Sequence, residues 1–211
     1  RKLAELAVKY DLMVLLDEAY FDVRYDGKSA SIISEPGMIE RSVILYTFSK
    51  RFAMTGWRLG AAFGPKQIID VIVTLNVNDE SCTNHFVQYA ALEAMTGDQA
   101  EVLHILHVLR RRRDLCVDML NDIEGVFCYK PNATFYLYPD VTEAMENKGF
   151  SEYQDFLKSV LECTGVSMCS RAHFGTPLPG ETAHYVRLAY SGIGVSDIEE
   201  GLGRLKSYFS S

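Results

Sequence analysis

The chain has 211 residues, 48% of them hydrophobic, enough apolar material for one large domain or two small ones. A formal charge of -7 argues against a broad electropositive face for nucleic acid, and no apolar run approaches the roughly 20 residues that a membrane span requires. Neither nucleic acid nor membrane is therefore expected as a partner. Five cysteines without a C-x-x-C pair read as reduced thiols, which makes a cytoplasmic location the expectation, although the chain opens on Arg1 inside a helix-like pattern, as a cut chain does, and any targeting segment would precede it.

Leu3, Leu6, Ala7 and Tyr10 fall at helical spacing, and Met13 to Leu16 is a short apolar run ending at Asp17-Glu18, so residues 1–10 predict a helix and the next segment a buried strand. Val43 to Phe48 is a second β-rich run, ending at Ser49-Lys50, and Arg58 to Phe63 a third, closed by Gly64-Pro65. Two of these three strands deliver polar residues at their carboxyl ends. In open α/β sheets ligands bind at that edge, so both junctions are candidate site positions. Ser81 and Thr83 are candidate caps for a helix carrying Phe86, Val87, Ala90, Ala91, Ala94 and Met95 and stopped by Gly97. A long helix over 98–123 follows. Its run Arg110 to Arg113 points in four directions and reads as a solvated face rather than a phosphate site.

Beyond Gly125 the pattern predicts strands over 126–129 and 134–138, a helix over 151–163, strands over 165–169 and 185–190, and a closing amphipathic helix over 195–209 capped by Ser196. Parallel-sheet alternation thus gives way to a smaller α+β unit near the long helix. The expected domains are residues 1–97, the helix 98–123 as connection, and 124–211. The histidines His85, His104, His107 and His184 show no metal-ligand spacing, so no metal is expected.

Asp17, Tyr20, Thr47, Ser49, Lys50, Arg58 and Arg187 are polar residues attached to predicted strand ends, each weak evidence alone. Their setting is more specific. The segment Ser49-Lys50-Arg51-Phe52-Ala53-Met54-Thr55-Gly56-Trp57-Arg58-Leu59-Gly60 resembles the cofactor-lysine segment of fold-type I pyridoxal-phosphate enzymes, and within them the aspartate aminotransferase superfamily. Asp17-Glu18-Ala19-Tyr20 is similar to that family's D-E-x-Y element, and Val186 to Ser191 to its carboxylate-arginine strand.

The resemblance extends over essentially the whole chain and implies the carboxy-terminal half of a class I/II aminotransferase. The fold class it implies is α/β: residues 1–97 as part of the large cofactor-binding domain, and 124–211 as the small α+β domain. It further implies pyridoxal 5'-phosphate as cofactor, an amino acid and a 2-oxo acid as substrates, and a homodimer. Lys50 would be catalytic and hold the cofactor as a Schiff base, while Asp17 pairs with the pyridine nitrogen and Tyr20 reaches the ring oxygen. Arg58 and Thr47, with Ser49 a weaker candidate, would bind the phosphate, and Arg187 the substrate carboxylate. Gly56 and Gly60 are expected to serve the backbone path and Trp57 the core.

Two departures stand out. The stretch 77–84 lacks the arginine that some dicarboxylate-specific relatives carry there, so amino-acid specificity stays open. Cys169 to Gly175 occupies the place of a Pro-Gly-x-x-Phe-Gly turn; Phe174-Gly175 is retained, whereas Arg171 and His173 are departures that line the site mouth or belong to plain surface. Lyase chemistry on the same fold and a non-catalytic sensor domain are the competing readings.

Overall fold

In the computed structural model, which describes residues 1–211, the opening apolar spacing forms α1 (Lys2–Lys9), with Ala4 and Ala7 buried against Met38 and fringed by Val14 and Ile32. Strands β1 (Val14–Asp17) and β2 (Ser42–Thr47) pair in parallel, with Asp17 opposite Leu45. Helix α2 (Phe48–Arg51) is a single turn, and a tight 3-10 turn at Thr55–Trp57 leads into β3 (Gly60–Phe63). β3 pairs antiparallel with β2, contrary to the expected parallel alternation, because one helical turn and a loop do not supply the long crossover that a parallel partner needs. The sheet order is β1-β2-β3. Since β3 runs backward, its first residue lies at the edge where β1 and β2 end, with Gly60 opposite Thr47.

That pairing depends on glycine. A Cβ on Gly60 would lie 2.8 Å from the Tyr46 carbonyl oxygen, too close for a rigid backbone neighbour. By contrast, a Cβ on Gly56 would meet nothing within 4 Å.

Helix α3 (Lys66–Asp79) was not evident in the sequence, and its structure explains why: none of its residues is buried, so no apolar stripe marks a face. Helix α4 (His85–Thr96) is capped by Asn84, whose side chain accepts from the Phe86 amide at 3.3 Å, in place of the expected Ser81 or Thr83. Val87 and Ala91 of α4 pack with Phe48, Met54 and Leu59, which fastens the α2 turn against α4. Trp57 departs from its expected core role and is 47% exposed.

Helix α5 (Ala100–Asn121) realises the long helix, and the chain divides into two compact units, Arg1–His104 and Ile105–Ser211. In the second unit Arg113 overturns the solvated reading of the arginine run. It is 2% exposed, donates to Asp114 at 2.9 Å and to the Pro131 carbonyl at 2.9 Å, while Arg112 donates to the Ser191 carbonyl at 2.7 Å. The expected strand at 126–129 reduces to one bridge between Phe127 and Asp140. Asn121 is the reason: its side-chain amide takes both the N–H and the carbonyl of Cys128, replacing a strand neighbour.

The second sheet has order β4-β6-β5, all antiparallel, from β4 (Tyr136–Leu137), β5 (Cys169–Ser170) and the central β6 (Val186–Ala189). A short α6 (Thr142–Asn147) precedes α7 (Tyr153–Thr164), which packs on α8 (Val195–Ser210). Phe156, Val160, Val186, Ile198 and Leu205 are almost wholly buried in this unit. α8 is capped at Gly194, whose amide donates to Asp197 at 3.1 Å, rather than at Ser196. No helix is long and apolar enough to cross a membrane.

Candidate functional site

Three chain segments converge on one edge of the first sheet. β1 ends in Asp17, β2 runs out through Thr47 into the α2 turn carrying Ser49 and Lys50, and Arg58 immediately precedes Leu59 and the start of β3. The topology therefore brings a carboxylate, an amine, two hydroxyls and a guanidinium to the same edge. Tyr20, three residues beyond Asp17, joins them: the Lys50 Nζ lies 5.5 Å from the centre of its ring. That distance is within the range of a cation–π contact.

The charge pairing separates these groups from their neighbours. Arg41 is bonded to Asp11 at 3.0 Å and Arg51 to Asp22 at 3.0 Å, so those guanidinium groups have internal counter-ions. Asp17, which is exposed, accepts only from the Ala19 amide at 3.2 Å. Arg58, also exposed, donates only to the Thr55 carbonyl at 3.1 Å. A carboxylate and a guanidinium held on the same edge with no counter-ion of their own in the chain keep most of their hydrogen-bonding capacity for something else. Arg58 moreover adopts a left-handed backbone conformation, with φ 54°, as does Ala53 at φ 52°. A non-glycine residue carries such strain only where its surroundings enforce it.

Thr47 and Ser49 are more constrained. The Thr47 hydroxyl accepts from the Ser49 amide at 3.1 Å and points to the Leu59 carbonyl at 3.5 Å, so it caps the lysine turn; Ser49 is buried. Behind Lys50 stands a network that the sequence did not reveal. Arg51 bridges Asp22 and the Gln99 side chain, and the Tyr46 hydroxyl donates to Asp22 at 3.4 Å. Burial, then the negative charge of Asp22, raises the Tyr46 phenol above its ordinary value. The one available signal was Asp22 itself, five residues past Asp17 on no recognisable motif.

In the second unit Arg187 sits at the centre of β6, directly opposite Cys169, with one N–H 3.4 Å from the Cys169 sulfur. The pleat places Ala189 on the same face, and Ala189 is paired with Tyr136, so Tyr136 is a diagonal neighbour of Arg187. The Arg187 guanidinium carbon lies 4.6 Å from the Tyr136 ring centre and 4.8 Å from that of Phe174. No carboxylate of the chain pairs with it. An arginine packed on two rings and lacking an internal counter-ion is prepared for an external planar anion. No group of three or more His, Cys, Asp or Glu side chains is arranged to hold a metal ion.

This arrangement, an α/β sheet whose polar edge carries a lysine, defines the class of protein, and the chain belongs to the aminotransferase class I and II family, whose profile matches residues 1–205. It is 34% identical over 191 residues to an aspartate aminotransferase of Musicola paradisiaca, an alignment covering 90% of this chain and 46% of that protein. It is likewise 34% identical over 209 residues to aromatic-amino-acid aminotransferase 2 of Thermococcus litoralis, covering 97% of this chain and 51% of that one. Among solved structures, the aromatic aminotransferase of Pyrococcus horikoshii superposes with a TM-score of 0.88 at 31% identity, covering 99% of this chain and 54% of that one. The chain thus spans about half the length of the curated relatives it matches.

Members of the family use pyridoxal 5'-phosphate. The donor set on the first sheet edge fits that group: an amine for an aldehyde, a carboxylate for a ring nitrogen, a phenol for a ring hydroxyl, and a guanidinium with no internal counter-ion for a phosphate.

Proposed function

We propose that this chain is the lysine-bearing half of a pyridoxal-phosphate-dependent aminotransferase that moves an amino group between an amino acid and a 2-oxo acid. The observation that carries the reading is the meeting of Asp17, Lys50 and Arg58 at one sheet edge, with neither Asp17 nor Arg58 paired to an opposite charge in the chain. Placing this half on the carboxy-terminal side of the whole enzyme is part of the same proposal and rests on the resemblance of its three motifs alone.

When bound, the cofactor supplies a conjugated ring that accepts electrons from the carbon undergoing exchange. Lys50 Nζ would hold the cofactor through its aldehyde, and as a free amine it is the group that would take up and return the proton of the substrate α-carbon. The Asp17 carboxylate keeps a proton on the ring nitrogen, since a neighbouring negative charge favours the charged form. The Tyr20 hydroxyl would reach the ring oxygen, and Arg58 would hold the phosphate. Thr47 and Ser49 would act from the α2 turn that the Thr47 hydroxyl caps. Arg187 would bind a carboxylate of the substrate.

A homodimer is part of the same proposal. Val71, Val73, Leu75 and Val77 along α3, and Phe86, Tyr89, Leu92 and Met95 along α4, are all more than half exposed. Eight large apolar side chains left exposed on two neighbouring helices of the sequence are more than a protein in water normally leaves uncovered.

Borohydride reduction of the cofactor-loaded enzyme followed by peptide mapping tests the assignment. A pyridoxyl label on Lys50 is the expected result, and Lys50→Ala is expected to lower kcat by at least about 10²–10⁴-fold. A label on any other lysine would overturn it.

A further inference from the structure

Phe174, one of the two rings against Arg187, belongs to a segment whose shape is set by a single ion pair. Arg171 Nε donates to Glu181 Oε1 at 2.8 Å and Nη2 to Oε2 at 3.0 Å, a two-pronged pairing between side chains only 18% and 16% exposed. The remaining donors of Arg171 reach the carbonyls of Gly175 at 2.9 Å and Thr176 at 3.4 Å, while Glu181 Oε2 also accepts from the Leu178 amide at 2.9 Å. The pair therefore braces residues 175, 176 and 178 from within. Gly175, with φ 116°, makes the turn that no L side chain tolerates well, and it directly follows Phe174. The anchoring continues on the near side: the Arg171 amide donates to the Tyr153 hydroxyl at 3.3 Å and to the Tyr185 carbonyl at 3.2 Å, two residues before Arg187. The Phe174 ring also meets Tyr138 edge-on at 6.3 Å.

We propose that the Arg171–Glu181 pair is a positioning device for the carboxylate site: it holds Phe174 against Arg187 and so fixes the plane of that guanidinium before a planar two-oxygen anion arrives. The proposal rests on Arg187 being the carboxylate-binding residue. Neither Arg171 nor Glu181 is a catalytic residue in this account. Their effect passes through one aromatic ring. An arginine whose rotamer is already selected loses less freedom on binding, which lowers the concentration of carboxylate needed without altering the chemical step.

The test compares Glu181→Gln, Phe174→Leu and Arg187→Lys in the complete enzyme. Glu181→Gln and Phe174→Leu are each expected to raise KM for both the amino acid and the 2-oxo acid on the order of tenfold, with kcat changed much less. Inhibition by 3-phenylpropionate, a carboxylate without an amino group, is expected to weaken by the same factor. A readout independent of turnover is the Arg187 Nε–H resonance in a ¹⁵N-labelled sample: both variants should move it out of the ring-current field of Phe174. If Glu181→Gln leaves that resonance and KM where they were, the positioning role is wrong. A variant that lowers kcat and kcat/KM equally would equally refute it, because a merely structural pair has no reason to act on binding alone. Arg187→Lys separates the two layers: if it leaves KM and inhibition unchanged, the assignment of Arg187 itself fails, whereas its effect without any effect of Glu181→Gln sinks the device only.

Discussion

Replacing Gly60 by alanine tests whether the sheet edge is built by close approach of β3 to β2. The added Cβ would stand 2.8 Å from the Tyr46 carbonyl oxygen, whereas ordinary contact begins at 3.4 Å, so β3 must retreat by 3.4 − 2.8 = 0.6 Å or twist to relieve the clash. Gly60 is paired with Thr47, so the retreat stretches the ladder at its site-bearing end. Overpacking against a backbone atom costs about 1–3 kcal/mol, and loosening one ladder hydrogen bond belongs in the same range. Gly56→Ala is the matched control. It lies in the same loop, an added Cβ there meets nothing within 4 Å, and the loss of unfolded-chain freedom should leave stability unchanged or raise it by up to about 1 kcal/mol. The chain's single tryptophan, Trp57, sits between these two glycines and reports on this unit. In urea titrations followed by its fluorescence, Gly60→Ala should lower the midpoint at unchanged slope, and Gly56→Ala should not. Equal behaviour of the two variants would refute the steric reading.

Burial pushes the Cys116 thiol up to about 12 and the Cys128 thiol up to about 11, whereas Cys82 and Cys163 are exposed. At pH 8 a thiol reagent should therefore modify Cys82 and Cys163 promptly and reach Cys116 and Cys128 only after unfolding, as mass spectrometry of the labelled peptides would show. Because these two folded-state values lie above the ordinary thiol value, the stability they contribute is complete below pH 9 and is lost as pH climbs through 11 and 12, which urea midpoints across that window would record. Partial burial opposes ionisation of Asp114, yet Lys130 and Arg113 together hold its carboxyl below the ordinary value. Asp114→Asn removes the carboxylate beside the buried Arg113 and should cost more in denaturation, on the order of 1–3 kcal/mol, than Lys130→Ala, which removes only an exposed partner. Ala53→Gly relieves a left-handed residue on the lysine loop and should raise the urea midpoint by an amount worth about 1 kcal/mol.

The elements that were legible in the sequence are those whose burial is one-sided. The α1 stripe, the run feeding β2 and the closing amphipathic helix each announce a face, and the structure realises each within a residue or two, whereas β1, expected as a buried strand, forms in place but alternates half-buried and exposed residues. α3 was illegible for the converse reason, since its valines and isoleucines surround the helix and no face is turned to a core of this chain. The backward run of β3 was hidden too, because strand direction is decided by the length of the link and not by the strand's own residues. The Cys128 segment reads as a strand in composition, but Asn121 satisfies its backbone through a contact that no local pattern encodes.

Candidate charged residues raise a harder problem than elements do, because a motif names a residue without saying whether its charge is already spent. Arg51 stands next to Lys50 and Arg58 closes the same loop, so residue type alone does not separate them. The fold distinguishes them: Arg51 is committed to Asp22 and Gln99, whereas Arg58 meets only a backbone carbonyl. The same contrast separates Arg171, occupied by Glu181, from Arg187, which has two aromatic faces and no carboxylate. Within each pair the occupied arginine shapes the loop and the other keeps a charge that no carboxylate of the chain meets. An arginine with an internal carboxylate has little to gain from a second anion, since the Coulombic attraction is already largely satisfied and a competing ligand must first displace the partner. Pairing state, more than residue type, is therefore what singles out Arg58 and Arg187 as candidates for ligands and ties Arg51 and Arg171 to architecture.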